Sequence, residues 1–247
     1  MRRKRARATT VDVLAIAAHP DDAELTCGGT LVQCARRGYR VGILDLTRGE
    51  MGTRGSAELR AREAAAAAKV LGVERRENLE LPDARLEVSL AYKCAIAERL
   101  RALRPRVVIL PYWEGRHPDH VCTSRLGAEA CYLAGLEKLD LAGKPHRPFK
   151  ILYATMFDQT RPVPPTFVVD ITREYAQRAR AIACYRSQFA GPRFERGIHI
   201  PLTGLEEQMA TVCGFYGRLI GARYGEPFVT REVMQADDIL QLRVRSL

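Results

Sequence analysis

The sequence predicts an α/β fold in which a mostly parallel sheet is covered by helices on both faces. Three observations carry that prediction. Strand-like apolar runs alternate with helix-like stretches along much of the chain. Several runs, such as RVVIL at 106–110, are unbroken rather than alternating, as in strands buried on both faces. The residues able to do chemistry fall just after such runs, where ligand sites of these folds lie.

Taken in order, residues 11–18 read as the first buried strand. Gly28-Gly29 leads into a helix over 30–37, ended by Gly38. Residues 40–46 form a second strand, and 47–56 (TRGEMGTRGS) a glycine-rich loop. An alanine-rich helix covers 58–71 and closes at Gly72, and 78–81 is a short strand before a Pro82-Asp83 turn. Leu90, Cys94, Ala97 and Leu100 recur near helical period, which predicts a helix over 89–103. The strand at 106–110 runs into the loop PYWEGRHPDH, followed by a helix over about 121–134. After Gly143, ILYATMF and TFVVDI read as strands, 175–185 and 205–224 as helices, and 191–201 as a loop rich in Gly, Pro and Arg. No hydrophilic linker or internal repeat divides the chain, so residues 11–247 read as one domain behind a disordered basic tail, residues 1–10.

The formal net charge of +10 invites a nucleic-acid partner, but Arg2, Arg3, Lys4, Arg5 and Arg7 supply half of it within ten residues. Such a run is usually a solvated tail. With no helix-turn-helix, zinc-finger or RNA-binding signature, no specific nucleic acid is expected. The apolar stretch behind the tail is too short, and too interrupted by Asp12, for an export signal. No run of about 18 apolar residues predicts a membrane span. Seven widely spaced cysteines, an odd number with no Cys-x-x-Cys, argue against a disulfide framework and for a reducing cytoplasm.

Two phrases hold the chemistry: AHPDDAE at 18–24 and RHPDH at 116–120. His19 and Asp22, three residues apart on a turn after a strand, suit zinc or a similar divalent ion, and His120 can be the third ligand. Asp21 then stands beside the ion as a base for water that the ion acidifies. His117 can stabilise an oxyanion or protonate a leaving amine, and Asp119 can orient an imidazole from behind. The bland alternative is helix capping, since Asp is a common N-cap. Two such phrases at strand ends, holding three of the five histidines, favour a metal site. His146 and His199 have no such neighbours and read as ordinary.

These phrases, with LTRGEMGTRG, ELRAREAAAAAKVLGV, NLELPD, YRSQF and YGEPF, resemble the PIG-L / LmbE-like family of zinc-dependent de-N-acetylases over about residues 10–230. The resemblance implies a Rossmann-like fold and removal of acetate from an N-acetylglucosamine conjugate. It implies the same roles: His19, Asp22 and His120 on the metal, Asp21 as base, and His117 as oxyanion stabiliser or acid. YRSQF and YGEPF look most like the enzymes that deacetylate N-acetylglucosaminyl-L-malate in bacillithiol biosynthesis. The resemblance also suggests a homo-oligomer, a hexamer among the options. The basic tail departs from the family pattern.

Substrate contacts are expected from Arg54, Arg60 and Arg116, because an arginine fork suits a carboxylate or phosphate and malate carries two carboxylates. The alternative for each is a surface salt bridge. Glu50 and Asp83 can bind sugar hydroxyls or simply build their turns. The ligand set suits iron(II) or cobalt as well as zinc. Competing readings are the same chemistry on a chitin oligosaccharide or an inositol conjugate, a non-catalytic metal-binding module, and a charge-driven nucleic-acid binder.

Overall fold

The computed structural model describes residues 10–156, 163–190, 202–241 and 243–244. The expected basic tail up to residue 9, the expected loop at 191–201 and His199 lie outside them. The first half alternates strictly: β1 (Val13–Ala17), α1 (Asp22–Arg36), β2 (Val41–Thr47), α2 (Ala57–Leu71), β3 (Arg75–Leu81), α3 (Leu90–Leu103), β4 (Val107–Pro111), α4 (Pro118–Ala134) and β5 (Lys150–Ala154). Then come β6 (Phe167–Asp170), α5 (Tyr175–Ile182), α6 (Arg186–Phe189), α7 (Leu202–Leu219) and β7 (Gly225–Val229). The strands form one sheet in the order β3-β2-β1-β4-β5-β7-β6. Every pairing from β3 to β5 is parallel, and β7 runs antiparallel to both its neighbours.

The expected fold is therefore the observed one, and the unbroken apolar runs explain it. Val13, Ala15 and Ala17 of β1 pack with α1 and α2 on one face, while Leu14 and Ile16 pack with α3 and α4 on the other. Alternate side chains of a strand point to opposite faces, so covering both faces demands apolar residues throughout. The chain leaves β1 towards β2 on one side and returns to β4 on the other. The crevice between the carboxyl ends of β1 and β4 is thus a topological switch point, where such sheets bind ligands. Among the described residues no helix is long and apolar enough to cross a membrane.

Several boundaries differ from expectation. The first helix begins at Asp22 rather than residue 30, passing through a non-helical Cys27 (φ −142°, ψ 15°). Gly28 and Gly29 are helix residues at this kink, kept small because a Cβ on Gly29 would lie 2.9 Å from Ile171. α4 starts at Pro118 rather than residue 121, since proline is well placed in a first helical turn. The short strand expected at 78–81 starts earlier, at Arg75. The helix expected to reach residue 224 stops at Leu219, and YGEPF feeds the antiparallel strand β7.

Glu226 of β7 explains how α1 tolerates its kink. Its carboxylate accepts the backbone N–H groups of Gly29 (2.8 Å) and Thr30 (2.7 Å) and the Thr30 hydroxyl (2.6 Å), and pairs with Arg178 Nε at 3.2 Å. Both charged side chains are fully buried. Glu226→Ala would strand the Arg178 charge and orphan two amides. Removing one partner of a buried pair costs about 3–5 kcal/mol, and urea unfolding is expected to read a loss of that size. A loss near zero would show that this pair does not hold the kinked helix.

Candidate metal centre

Residues 18–22 turn sharply from β1 into α1. Asp21 occupies the N-cap position at φ 121°, ψ −27°, a region disfavoured for any residue but glycine, yet its side chain makes no capping bond. The capping alternative thus fails for Asp21. Arg60 instead grips the turn: Nε donates to Pro20 O (2.9 Å), Nη2 to Asp21 Oδ2 (2.7 Å) and Nη1 to Gly49 O (3.5 Å). Gly49 has φ 67°, and a Cβ there would strike the Arg60 guanidinium, so the glycine-rich loop and the arginine require each other. Burial raises the Asp21 carboxyl; the Arg60 charge opposes this, Asp22 adds to it, and the group titrates at about 7.

His19, Asp22 and His120, far apart in sequence, converge. The two Asp22 carboxylate oxygens lie 3.3 Å from His19 Nδ1 and 3.2 Å from His120 Nε2. Tetrahedral ligands about 2.0–2.1 Å from one ion sit roughly 3.3 Å apart, so these separations fit donors sharing an ion. The opposite ring nitrogen of His19, Nε2, donates to Asp83 Oδ1 (3.0 Å) and Asp119 Oδ2 (3.3 Å). A metal-ligating imidazole commonly gives its second N–H to a carboxylate in this way. Burial alone would lower the His19 pKa, but hydrogen bonds to Asp119, Asp22 and Asp83 carry it up to about 12. Three carboxylates around one imidazole favour a positive charge there, as a proton on the ring or as a divalent ion that these residues could hold. Among the described residues, the groups whose ligand atoms all lie within 4.8 Å of one another are His19 with His117 and His120, and His19 with Asp83 and Asp119; Asp22 meets His19 and His120 through different oxygens.

His117 is the N-cap of α4, where its Nδ1 accepts the Asp119 N–H at 3.3 Å. Its ring stacks on His120 with centroids 4.5 Å apart. Burial and the neighbouring His120 and His19 lower its pKa. A neutral imidazole accepting at Nδ1 carries its proton at Nε2, so His117 is a donor there.

The expected substrate residues divide. Arg116 is exposed and has no polar partner among the described residues. It lines a groove of about 380 Å³ with Arg125, Val88 and Cys122. Arg54 stays on the rim, donating to Ala190 O at 3.1 Å. Glu50 is exposed and accepts the Asp83 N–H at 2.8 Å. Arg60 corrects the expectation: it is buried, and the Asp21 turn and Gly49 occupy all three of its guanidinium nitrogens. Asp83 is also turned inward, with Oδ2 accepting the Met51 N–H at 2.8 Å and Oδ1 on His19. Both partnerships join residues tens of positions apart, and no local pattern announces them.

The chain is similar to known proteins over most of its length. Residues 14–131 match the family model described as GlcNAc-PI de-N-acetylase, PIG-L. The chain is 32% identical over 230 residues to diacetylchitobiose deacetylase of Thermococcus kodakarensis, covering 87% of this chain and 80% of that protein. It is 28% identical over 195 residues to the probable N-acetyl-alpha-D-glucosaminyl L-malate deacetylase 2 of Bacillus anthracis, covering 72% and 81%. The crystal structure of a conserved protein, TT1542, from Thermus thermophilus superposes with a TM-score of 0.83 at 39% identity, covering 92% of this chain and 98% of that one. On this fold, these matched residues and this likeness, the chain belongs to the PIG-L family of deacetylases.

Proposed function

We propose that the chain is a metal-dependent hydrolase that removes acetate from an N-acetylglucosamine conjugate, with N-acetylglucosaminyl-L-malate as its substrate. The observation that carries this reading is the buried Asp21 carboxyl, held by Arg60 in a strained turn beside the His19–Asp22–His120 cluster. A pure binding module needs no such base.

His19, Asp22 and His120 would hold the ion, which is zinc by its donor set, with iron(II) and cobalt as alternatives. When bound, it supplies Lewis acidity to the acetyl carbonyl and to a water molecule. Arg60 occupies Asp21 Oδ2, so Oδ1 is the oxygen left to take the proton of the attacking water. A pKa near neutrality lets the same carboxyl return that proton to the amine nitrogen. The amide C–N bond breaks, and water's hydroxyl goes to the acetyl carbon. Nε2–H of His117 donates to the oxyanion, and the lowered pKa of this ring favours that role over acid catalysis. Asp83 and Asp119 orient His19 from behind.

Arg116 supports an anionic aglycone, since an unpartnered guanidinium beside a groove is free to fork a carboxylate. Arg54 and Glu50 stand on the same rim loops. A second reading, deacetylation of a chitin disaccharide, is favoured by the likeness to diacetylchitobiose deacetylase. The proposal includes a homo-oligomer in the cytoplasm; seven free cysteines support a reducing compartment.

Asp21→Asn is expected to keep its metal, counted by mass spectrometry, while turnover falls roughly 10²- to 10⁴-fold. His120→Ala is expected to lose the metal itself. Full activity in Asp21→Asn would remove the base assignment. In the metal-free protein, carboxyl ¹³C NMR is expected to follow Asp21 titrating near pH 7, and Arg60→Met to move that midpoint higher. The folded value lies above the ordinary 3.8, so the stability linked to this group is full below about pH 4 and is lost as pH rises through 7. An Asp21 midpoint near 4 would contradict the burial argument. Acetate release from the malate conjugate, diacetylchitobiose and plain N-acetylglucosamine decides the substrate. Arg116→Glu is expected to raise KM for the malate conjugate by tenfold or more, on the order of one lost charged contact, and to spare the neutral sugars. Equal effects on all three would exclude the carboxylate role.

A further inference from the structure

Beneath the candidate metal centre, between the ends of β1 and β4 and the kink of α1, lies a small cavity that the function above leaves unexplained. Its volume is about 20 Å³. A single water needs roughly 10–15 Å³, so the space takes one small group and little more. Its walls include Ala15, Ala17, Cys27, Ile109, Ala154 and Met156, and Asp22 and His120 also line it.

The hole has a sequence origin. Buried parallel strands are usually filled by branched residues, but three strand positions facing this space are alanines, two on β1 and one on β5 across β4. Ala15, Ala17 and Ala154 all belong to the core on the α1 side of the sheet. Opposite them α1 does not run straight: Cys27 is non-helical, and Glu226 secures the amides just beyond it. Cys27 lies against the cavity with its thiol bonded to Ala23 O (3.5 Å), so it offers little polarity. Asp22, Thr26 and His120 also border it, but Thr26 Oγ1 donates to Asp22 O (2.7 Å) and Asp22 faces His19 and His120, so a water there would compete for groups already engaged, and a methyl group needs none.

We infer that this cavity is the acyl pocket, taking the methyl group of the substrate's acetyl and excluding longer acyl chains. The inference rests on the deacylase reading above. The side chains proposed to hold the ion form part of the cavity wall, so the reacting carbonyl and the pocket adjoin. A propionyl group brings one more methylene, which a close-packed wall accepts only by shifting.

The test uses N-formyl, N-acetyl and N-propionyl versions of one glucosamine conjugate with the metal-loaded protein. One methylene too many is worth roughly 10–200-fold in kcat/KM, and the acetyl form is expected to be preferred over the propionyl by that much. Cys27→Ala, which enlarges the cavity, is expected to raise the propionyl-to-acetyl ratio about tenfold, the low end of that range. Ala154→Val, which fills it, is expected to depress acetyl turnover and spare formyl. Equal turnover of acetyl and propionyl by the unaltered protein, or ratios unmoved in both variants, overturns the pocket and leaves the deacylase reading standing. Release of none of the three acids overturns both. A readout free of turnover is NMR of ¹³C-methyl acetate bound to the protein, with cross-peaks expected to the Ala17 and Ala154 methyls. Bound acetate with its methyl cross-peaks elsewhere also overturns the pocket.

Discussion

The ion pair between Arg60 and Asp21 is the contact on which the shape of the site depends. A non-glycine residue at φ 121° persists only where its surroundings over-determine it, at a cost of about 1–3 kcal/mol. Arg60 provides that constraint by bonding the residue before Asp21, Asp21 itself and the glycine-rich loop. The strained turn sets where α1 begins and hence where Asp22 faces His120. The same loop delivers the Met51 N–H to Asp83, and Asp83 in turn orients His19. One arginine therefore couples the base to the geometry of the candidate ligands.

A second layer of charge lies behind the first. Arg76 on edge strand β3 is bonded to both Asp45 oxygens (2.7 and 3.0 Å) and to Glu24 Oε1 (2.6 Å), and the Tyr185 hydroxyl donates to the same Glu24 oxygen at 3.0 Å. Two carboxylates share one guanidinium, and the buried Glu24 Oε2 has no hydrogen bond among the described residues. Such a network contributes little net stability, because desolvation offsets the attraction. Its effect is positional and electrostatic. It ties the start of α1 to β2, β3 and the segment before α6, and Glu24 is among the charges that hold the Asp21 pKa up. Structure and tuning of the proposed base draw on the same buried groups.

How much of this was legible in the sequence follows from how local each signal is. Strand and helix order was readable, because covering both faces of a parallel sheet imposes unbroken apolar runs, here alternating with helical periodicity. The convergence of His19, Asp22 and His120 was readable, because strand ends of one sheet lie on one rim. The start of α1 was not. Gly28-Gly29 is ordinarily loop chemistry, and its tolerance within a helix comes from Glu226, nearly two hundred residues later. Arg60 was misread for the same reason: an arginine opening a helix looks like a surface charge until the Asp21 turn closes over it. YRSQF and YGEPF were visible as motifs, yet their structural work is to reach α1 from behind, through Tyr185 and Glu226.

That work explains why a motif so far from the site bears on it. A helix needs its amides satisfied, and a kink at Cys27 breaks the regular series of N–H to carbonyl bonds. Straightening α1 would restore the series but would change how Cys27 meets the alanines of β1 and β5. Glu226 satisfies the amides of Gly29 and Thr30 directly, so the kink needs no straightening. Arg178 in turn neutralises Glu226 where water does not reach. The buried pair on the far side of α1 and the small cavity on its near side are two consequences of one bent helix.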